Sequence, residues 1–175
     1  MSGDGLLARC ETALRRALEA AVILIMVALA VVVVMGIGFR KAGAALVWYD
    51  EVASILLAWL TYYGAALAAL KRAHIGFPGL VEALPTQWRI AAIWAGEVIV
   101  IGFFGVMAWV GWEVLIVLEG DYLISLPNVP STFTQSVIPI GGALFIIAQL
   151  VSLPRALDEA RRGLHHEIPP ELQDT

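Results

Sequence analysis

The chain has 175 residues, of which 60% are hydrophobic and 15% are charged, and its mean hydropathy is +0.83. Soluble domains are about half apolar and about a quarter charged, so this balance excludes an ordinary soluble domain and indicates a protein whose main solvent is lipid. The formal net charge of −4 argues against a nucleic-acid binder, and the single cysteine, Cys10, excludes an internal disulfide or a paired-thiol relay.

The chain begins with an amphipathic segment that leads into a first apolar run. In residues 1–19, apolar side chains recur at helical spacing with charged residues between them, which predicts a short amphipathic helix on the cytoplasmic membrane surface. Residues 20–39 contain no ionisable side chain and match the roughly 20 residues that a helix needs to cross a hydrocarbon core. The run exceeds the apolar region of a signal peptide and no clear cleavage site closes it, so we predict a retained span.

The second predicted span, residues 50–70, carries polar-tipped aromatic residues near mid-membrane, where their polar atoms need protein partners. It also carries small residues at spacings that allow another helix to approach closely. Its acidic start suits the N-terminus of a helix, through capping and the helix dipole. We therefore predict a docking face for another helix, with ligand binding as the alternative. The candidate interface residues in and beside this span are Trp48, Glu51, Ile55, Trp59, Tyr62, Gly64 and Ala68.

The third predicted span, residues 89–118, is apolar apart from Glu97 and Glu113. The two carboxylates lie ~160° apart around the helix, so they cannot form an acid pair. A carboxylate deep in a membrane costs about 2.5–3.5 kcal/mol, so such residues are usually functional or paired. For Glu97 we consider an interhelix or intersubunit hydrogen bond first, with a proton or ion relay and a position near interfacial water as alternatives. His74, just beyond the inner end of the second span, has no second metal ligand at a suitable spacing; a lone histidine there is usually structural, and we include it in the candidate interface.

The fourth predicted span, residues 133–153, is uncharged and contains Pro139, which with Gly141 completes the candidate interface. The remaining 154–175 form a predicted cytoplasmic tail, in which 155–164 is expected to be a further amphipathic helix. With both termini in the cytoplasm, nine of the 11 lysines and arginines lie on the inner side, as the positive-inside rule requires. The predicted fold class is thus an all-α integral membrane protein, a single membrane domain with four transmembrane helices.

No catalytic or metal-binding pattern stands out in the sequence. We find no Ser/His/Asp arrangement, glycine-rich phosphate loop or cluster of metal ligands, and the adjacent His165 and His166 are a weak metal signal. We therefore predict that the chain is not an enzyme and has no catalytic, cofactor-binding or metal site of its own.

Three motifs occur in order along the chain. The first motif is Trp48-Tyr49-Asp50-Glu51, which continues through Leu57-Ala58-Trp59 to Gly64-Ala65-Ala66. The second is Arg72-Ala73-His74-Ile75, and the third is Pro130 followed by Pro139-Ile140-Gly141-Gly142. With the length and the four spans, they resemble the small membrane subunit (DctQ type) of tripartite ATP-independent periplasmic (TRAP) transporters over essentially the whole chain. One departure is Gly76-Phe77-Pro78, where the family commonly carries an acidic residue shortly after the histidine.

The resemblance implies a multi-pass subunit in the inner membrane of a Gram-negative-type bacterium. In such transporters a periplasmic binding protein captures an organic acid, and a large membrane subunit carries the substrate and sodium sites. The small subunit binds the large one as a scaffold and membrane anchor, and its outer surface is an optional dock for the periplasmic protein. The chain is then expected to have no cofactor, with sodium in the large partner only.

Two other interpretations stay open. A self-sufficient four-helix transporter working as a dimer would need a membrane carboxylate, and since the first span has none, Glu97 would have to serve. An orphan assembly or signalling subunit would also suit four spans without a catalytic pattern. Copurification with a much larger membrane protein favours the TRAP interpretation, whereas transport by this chain alone favours the first alternative.

Overall fold

The computed structural model describes residues 3–71 and 85–162, and over these ranges the secondary structure is helical apart from turns and one antiparallel bridge between Tyr122 and Pro130. The described helices are α1 (Gly3–Lys41), α2 (Tyr49–Leu70), α3 (Thr86–Val117), α4 (Ser131–Gln135) and α5 (Val137–Arg162). Four stretches are long and apolar enough to cross a membrane: Arg9–Lys41, Tyr49–Leu70, Gln87–Val117 and Ser131–Asp158. The predicted all-α fold with four helices of spanning length is confirmed, whereas the cytoplasmic placement of both termini stays a prediction.

Helix α1 is unbroken over 39 residues. At ~1.5 Å per residue it is ~58 Å long, far beyond a hydrocarbon core of ~30 Å. The amphipathic segment predicted at 1–19 is helical from Gly3, but it runs straight into the first span instead of forming a separate element. Its residues Leu14 and Leu18 pack against the buried core of the other helices, so these apolar positions contact protein. A location on the membrane surface stays a prediction.

The fourth predicted span is interrupted at Ser136, where the short helix α4 ends and α5 begins. Pro139 therefore lies in the first turn of α5. Proline has no N–H to donate to the carbonyl four residues earlier, here that of Gln135, and its ring clashes with that carbonyl inside a helix. In the first turn of a helix this N–H has no helical acceptor, so the interruption relieves both problems.

A second proline, Pro154, lies inside α5, and the helix continues past it to Arg162. The sequence suggested a separate amphipathic helix at 155–164, but its described part is a continuation of the fourth span. Pro154 is exposed, so its ring meets no neighbouring helix that would force the chain to turn. Pro154 therefore removes only the backbone hydrogen bond that another residue at this position would donate to the Leu150 carbonyl.

The long helices pack in an order that differs from their order in the sequence. Helix α1 packs on α2, α2 on α5 and α5 on α3, with a smaller contact between α1 and α5. In the most apolar part of the stretch Ser131–Asp158, 39% of the residues are buried, against 6% in those of α1 and α3. Among the described residues, α1 and α3 therefore form the two edges of an open row in which α5 is the most enclosed helix.

Glycines mark the closest approaches within this row. A Cβ atom on Gly141 of α5 would lie 2.7 Å from the Cβ of Tyr62 in α2, and one on Gly111 of α3 would lie 2.6 Å from Cγ2 of Ile138. Both distances are shorter than ordinary carbon–carbon contacts, so a larger residue would push the helices apart. Close packing matters here because lipid tails leave no hydrophobic driving force between spanning helices.

The connection between α3 and α4 is a compact loop. The Leu123 N–H donates to the Val129 carbonyl at 3.0 Å, and the Ser131 N–H donates to the Asp121 carbonyl at 2.9 Å. Gly120 enters the loop with a φ of +92°, a conformation that favours glycine. These bonds give the loop, defined here as residues 119–130, a fixed shape.

Candidate functional site

Glu51, in the first turn of α2, fastens the 119–130 loop to the helix row. Its Oε2 atom accepts a hydrogen bond from the Ser125 backbone N–H at 3.0 Å and a second one from the Ser125 hydroxyl. Hydrogen bonds to a carboxylate are stronger than those between neutral groups. The carboxylate that the sequence assigned to the candidate interface therefore holds the 119–130 loop in place.

Trp59 joins α2 to the end of α4. Its indole N–H donates to the Thr134 backbone carbonyl at 3.0 Å, and its ring lies against those of Phe133 and Tyr63, with centroids 5.3 and 6.2 Å away. The interruption at Ser136 makes this bond possible, because the carbonyls at a helix end have no donor from the following turn. The proline-induced break and the mid-membrane tryptophan thus form one structural unit.

Tyr62 lies one turn beyond the Trp59 contact and joins three helices. Its ring packs against Gly141 of α5, while its hydroxyl donates to Sδ of Met107 in α3 at 3.4 Å. The polar atoms of both mid-membrane aromatic residues thus find partners within this chain. Helices α2 and α3 meet through side chains at this level, although the main contact that they share is with α5.

Below this level, between α2, α3 and α5, lies a cavity of about 480 Å³. Small and apolar residues supply most of its wall: Ala65, Ala92, Ile93, Gly96, Val100, Phe104 and Phe145. The rings of Phe104 and Phe145 are stacked with centroids 3.6 Å apart, which closes one side. We call this space the inner cavity.

Two polar side chains lie in the wall of the inner cavity, Glu97 from α3 and Gln149 from α5. They are only 3% and 6% exposed, so both are removed from solvent and from lipid. Within the described ranges, no hydrogen-bond donor reaches the buried Oε1 atom of Gln149. Buried polar atoms are nearly always hydrogen-bonded, so this acceptor requires an explanation.

Ion pairs join the helices at the end of the molecule where α1 begins, away from the 119–130 loop. Lys71 Nζ lies 2.7 Å from Oε1 of Glu19, which joins the end of α2 to α1. Arg155 of α5 forms a second pair with Glu11 of α1. Partly exposed pairs such as these contribute little stability, but they set the register of α1 against its neighbours.

The edges of the row expose long apolar surfaces. On α3, the side chains of Val98, Ile99 and Trp109 are between 67 and 72% exposed. On α1, Leu24 and Val34 are similarly exposed, at 70 and 69%. Exposed apolar surface of this extent marks contact with lipid or with another protein.

The structure brings some of the predicted interface residues together and separates others. Glu51, Trp59, Tyr62 and Gly141 make contacts between helices or with the 119–130 loop. The small residue Gly64 has open space beside its Cα, which leaves room for another helix. Trp48, Ile55, Ala68 and Pro139 are half-buried and have no interhelix hydrogen bond, and Glu97 lies in the wall of the inner cavity. His74 lies outside the described residues, and a role at a subunit interface stays a prediction for the whole set.

The sequence analysis missed Ser125, Thr134 and Gln149. Ser125 and Thr134 have no local signal, because their partners lie 74 and 75 residues away in the chain. Gln149 could have been found as Glu97 was, since it is a polar side chain within an apolar run. In the part of the chain that the structure describes, no group of three or more His, Cys, Asp or Glu side chains could hold a metal ion.

A family model matches residues 29–159, most of the chain and all four spans in part. The family is described as the DctQ component of tripartite ATP-independent periplasmic transporters. Among curated proteins, no relative matches the chain.

Proposed function

Because the chain belongs to the DctQ family, the small membrane component of TRAP transporters, we propose that it acts as the scaffold and membrane anchor of a larger permease subunit. The complex would lie in the inner membrane of a bacterium, with both termini of this chain in the cytoplasm. A periplasmic binding protein would deliver the substrate, an organic acid bearing a carboxylate, and uptake would be coupled to sodium. The substrate and sodium sites would belong to the large subunit.

The open row of helices is the observation that carries this proposal. A subunit that supports a moving carrier must be stiff and must offer a broad membrane-embedded surface. Stiffness comes from the close helix crossings at glycines and from hydrogen bonds made within the row, such as the one from Trp59 to the Thr134 carbonyl. The broad surface comes from the edge helices α1 and α3, in whose most apolar windows only 6% of the residues are buried.

The placement of polar side chains gives further support. Within the described spans, Glu51 and Trp59 are bonded to the chain itself and so serve its shape. A carrier, by contrast, assembles several ionisable groups around a substrate near the membrane midplane. The family is one of transporter components, and a supporting component needs no such group.

Reconstitution of the separate components tests the proposal. The permease pair should be assembled in liposomes with the binding protein outside, and uptake of radiolabelled organic acid should be measured with a sodium gradient or with choline in its place. We expect uptake only when both membrane subunits, the binding protein and sodium are present. Omitting this chain should abolish it.

Liposomes that contain this chain alone provide the decisive control. Uptake along an ion gradient without the large subunit would refute the scaffold role and support the self-sufficient transporter. Full activity of the large subunit without this chain would show that transport needs no scaffold, and it would favour an assembly subunit instead.

A further inference from the structure

We propose that the inner cavity receives a transmembrane segment of the large permease subunit, and that a side chain of this segment donates a hydrogen bond to Oε1 of Gln149. This inference rests on the proposed function, because it names the surface through which the chain would bind its large partner. It assigns a specific polar contact to a surface that is otherwise apolar.

The position of the cavity along the helices restricts what can enter it. Glu97 lies ten residues beyond Gln87, the start of the spanning stretch, which corresponds to ~15 Å of helix. Gln149 lies four residues before Leu153, the end of the predicted fourth span, or ~6 Å. Both side chains are therefore below the headgroup region, and an occupant must itself be embedded in the membrane.

The chemistry of the wall indicates what the occupant must carry. Gln149 is 94% buried, and within the described ranges its Oε1 atom receives no donor. An amide oxygen in an apolar environment loses the bond that water would provide, so a donor restores that loss.

The shape of the cavity suits a helix. Ala65, Ala92 and Gly96 form its wall on α2 and α3, and such small residues allow a helix backbone to approach closely. A Cβ atom on Gly96 would meet no atom within 4 Å, so space remains beside α3. The cavity volume of about 480 Å³ is enough for several side chains of an inserted segment.

A phospholipid is a weaker occupant on chemical grounds. Its acyl chains could fill apolar space but cannot donate a hydrogen bond to Gln149. An ammonium headgroup could donate, but Gln149 lies four residues inside the end of the predicted span, so the headgroup would have to sink ~6 Å below the interface.

Site-specific photocrosslinking identifies the occupant. A photoreactive amino acid at Ala92, which lines the cavity, should be compared in the assembled complex with one at Leu24, which is 70% exposed on the opposite edge. We expect a covalent adduct between position 92 and the large subunit. Adducts with lipid or with a second copy of this chain would overturn the proposal, as would the absence of any protein adduct at position 92.

A variant of Gln149 tests the hydrogen bond itself. Gln149→Leu removes the acceptor at similar volume, so the dissociation constant of the complex should rise about threefold, and at most about 20-fold. The isolated chain should unfold at the same or a higher temperature, because an unpaired buried oxygen is lost. The matched control Gln135→Leu changes an exposed glutamine and should affect neither quantity.

The proposal requires that Gln149→Leu weakens the complex while the isolated chain unfolds at the same or a higher temperature. If Gln149→Leu lowers the stability of the isolated chain and of the complex alike, Gln149 has a structural role within the chain and the proposal fails. Adducts at Leu24 together with unchanged binding by Gln149→Leu would retain the scaffold role and reject this cavity. Failure of the two proteins to copurify at all would reject the scaffold role itself.

Discussion

At the scale of single residues, the contacts that fix the outer half of the molecule connect parts of the chain that are far apart in sequence. Glu51 and Trp59 were recognisable from the sequence because a carboxylate at a helix start and a tryptophan at mid-membrane both need an explanation. Their partners were not recognisable, since a serine in a loop and a backbone carbonyl carry no pattern. Chemistry predicts that a bond is needed, whereas only the fold determines which residue provides it.

Removing the donor of Trp59 tests the bond to α4. Trp59→Phe keeps an aromatic ring but loses the N–H that lies 3.0 Å from the Thr134 carbonyl. We expect the free energy of unfolding in detergent to fall by about 0.5–1.5 kcal/mol, measured by denaturant titration. The same change at Trp109, which is 72% exposed, should have no effect. Equal losses at both positions would show that indole size, not the hydrogen bond, is responsible.

Neutralising Glu51 tests how the 119–130 loop is attached to α2. Glu51→Gln keeps the size of the side chain but replaces two charge-assisted hydrogen bonds from Ser125 by weaker neutral ones. Amide hydrogen exchange in residues 119–130 should become roughly threefold to tenfold faster, as local opening becomes easier. Asp50→Asn, at the exposed neighbouring carboxylate, is the control. Unchanged exchange in Glu51→Gln would mean that the loop holds its shape by its own backbone bonds.

At the scale of helices, the positions of the spans were predictable, but their interruptions were not. An apolar run of about 20 residues is enough to predict a spanning helix, and all four predicted runs lie on described helical stretches. Pro139 was noted within the fourth run, but its consequence, the break at Ser136, depends on where the helix can restart. The continuation through Pro154 likewise depends on the absence of a neighbouring helix beside its exposed ring, which a sequence pattern does not contain.

Two glycines provide a matched test of helix packing. A Cβ on Gly141 would lie 2.7 Å from the Tyr62 Cβ, whereas one on Gly64 would meet nothing within 4 Å. Gly141→Ala should therefore lower the free energy of unfolding by about 1–3 kcal/mol, as overpacking does. Gly64→Ala should leave it unchanged or raise it slightly, because alanine favours helix formation. Thermal unfolding of the two variants in the same detergent distinguishes them, and a reversed order would contradict the described crossing of α2 and α5.

At the scale of the whole molecule, the open row was not predictable from periodicity. Every span is apolar on most of its circumference, so the hydrophobic pattern does not reveal which helix lies beside which. The order α1, α2, α5, α3 results from small residues at the crossings, such as Gly111 and Gly141, and from paired side chains. The sequence identified Gly141 as an interface residue but gave no sign that its neighbour would be Tyr62 of the same chain.

The orientation of the molecule in the membrane can be measured with its only cysteine. Cys10 is exposed, and the positive-inside rule places it in the cytoplasm. A membrane-impermeant maleimide should therefore label it only after cells are permeabilised. In a Cys10→Ser background, cysteine introduced at Ile124, which is 95% exposed, should be labelled in intact cells. Labelling of Cys10 in intact cells would reverse the proposed topology.

The order of helices in the row also bears on how the protein is made. Helices α1 and α2 emerge from the ribosome in sequence and can pair at once, but α3 emerges before α5, its main neighbour in the row. During translation α3 must therefore wait in the translocon or in lipid until α4 and α5 have been synthesised. A nascent chain released after residue 120 would contain the paired helices α1 and α2 and an unattached α3. We therefore expect quality-control proteases to recognise such a truncated chain at α3.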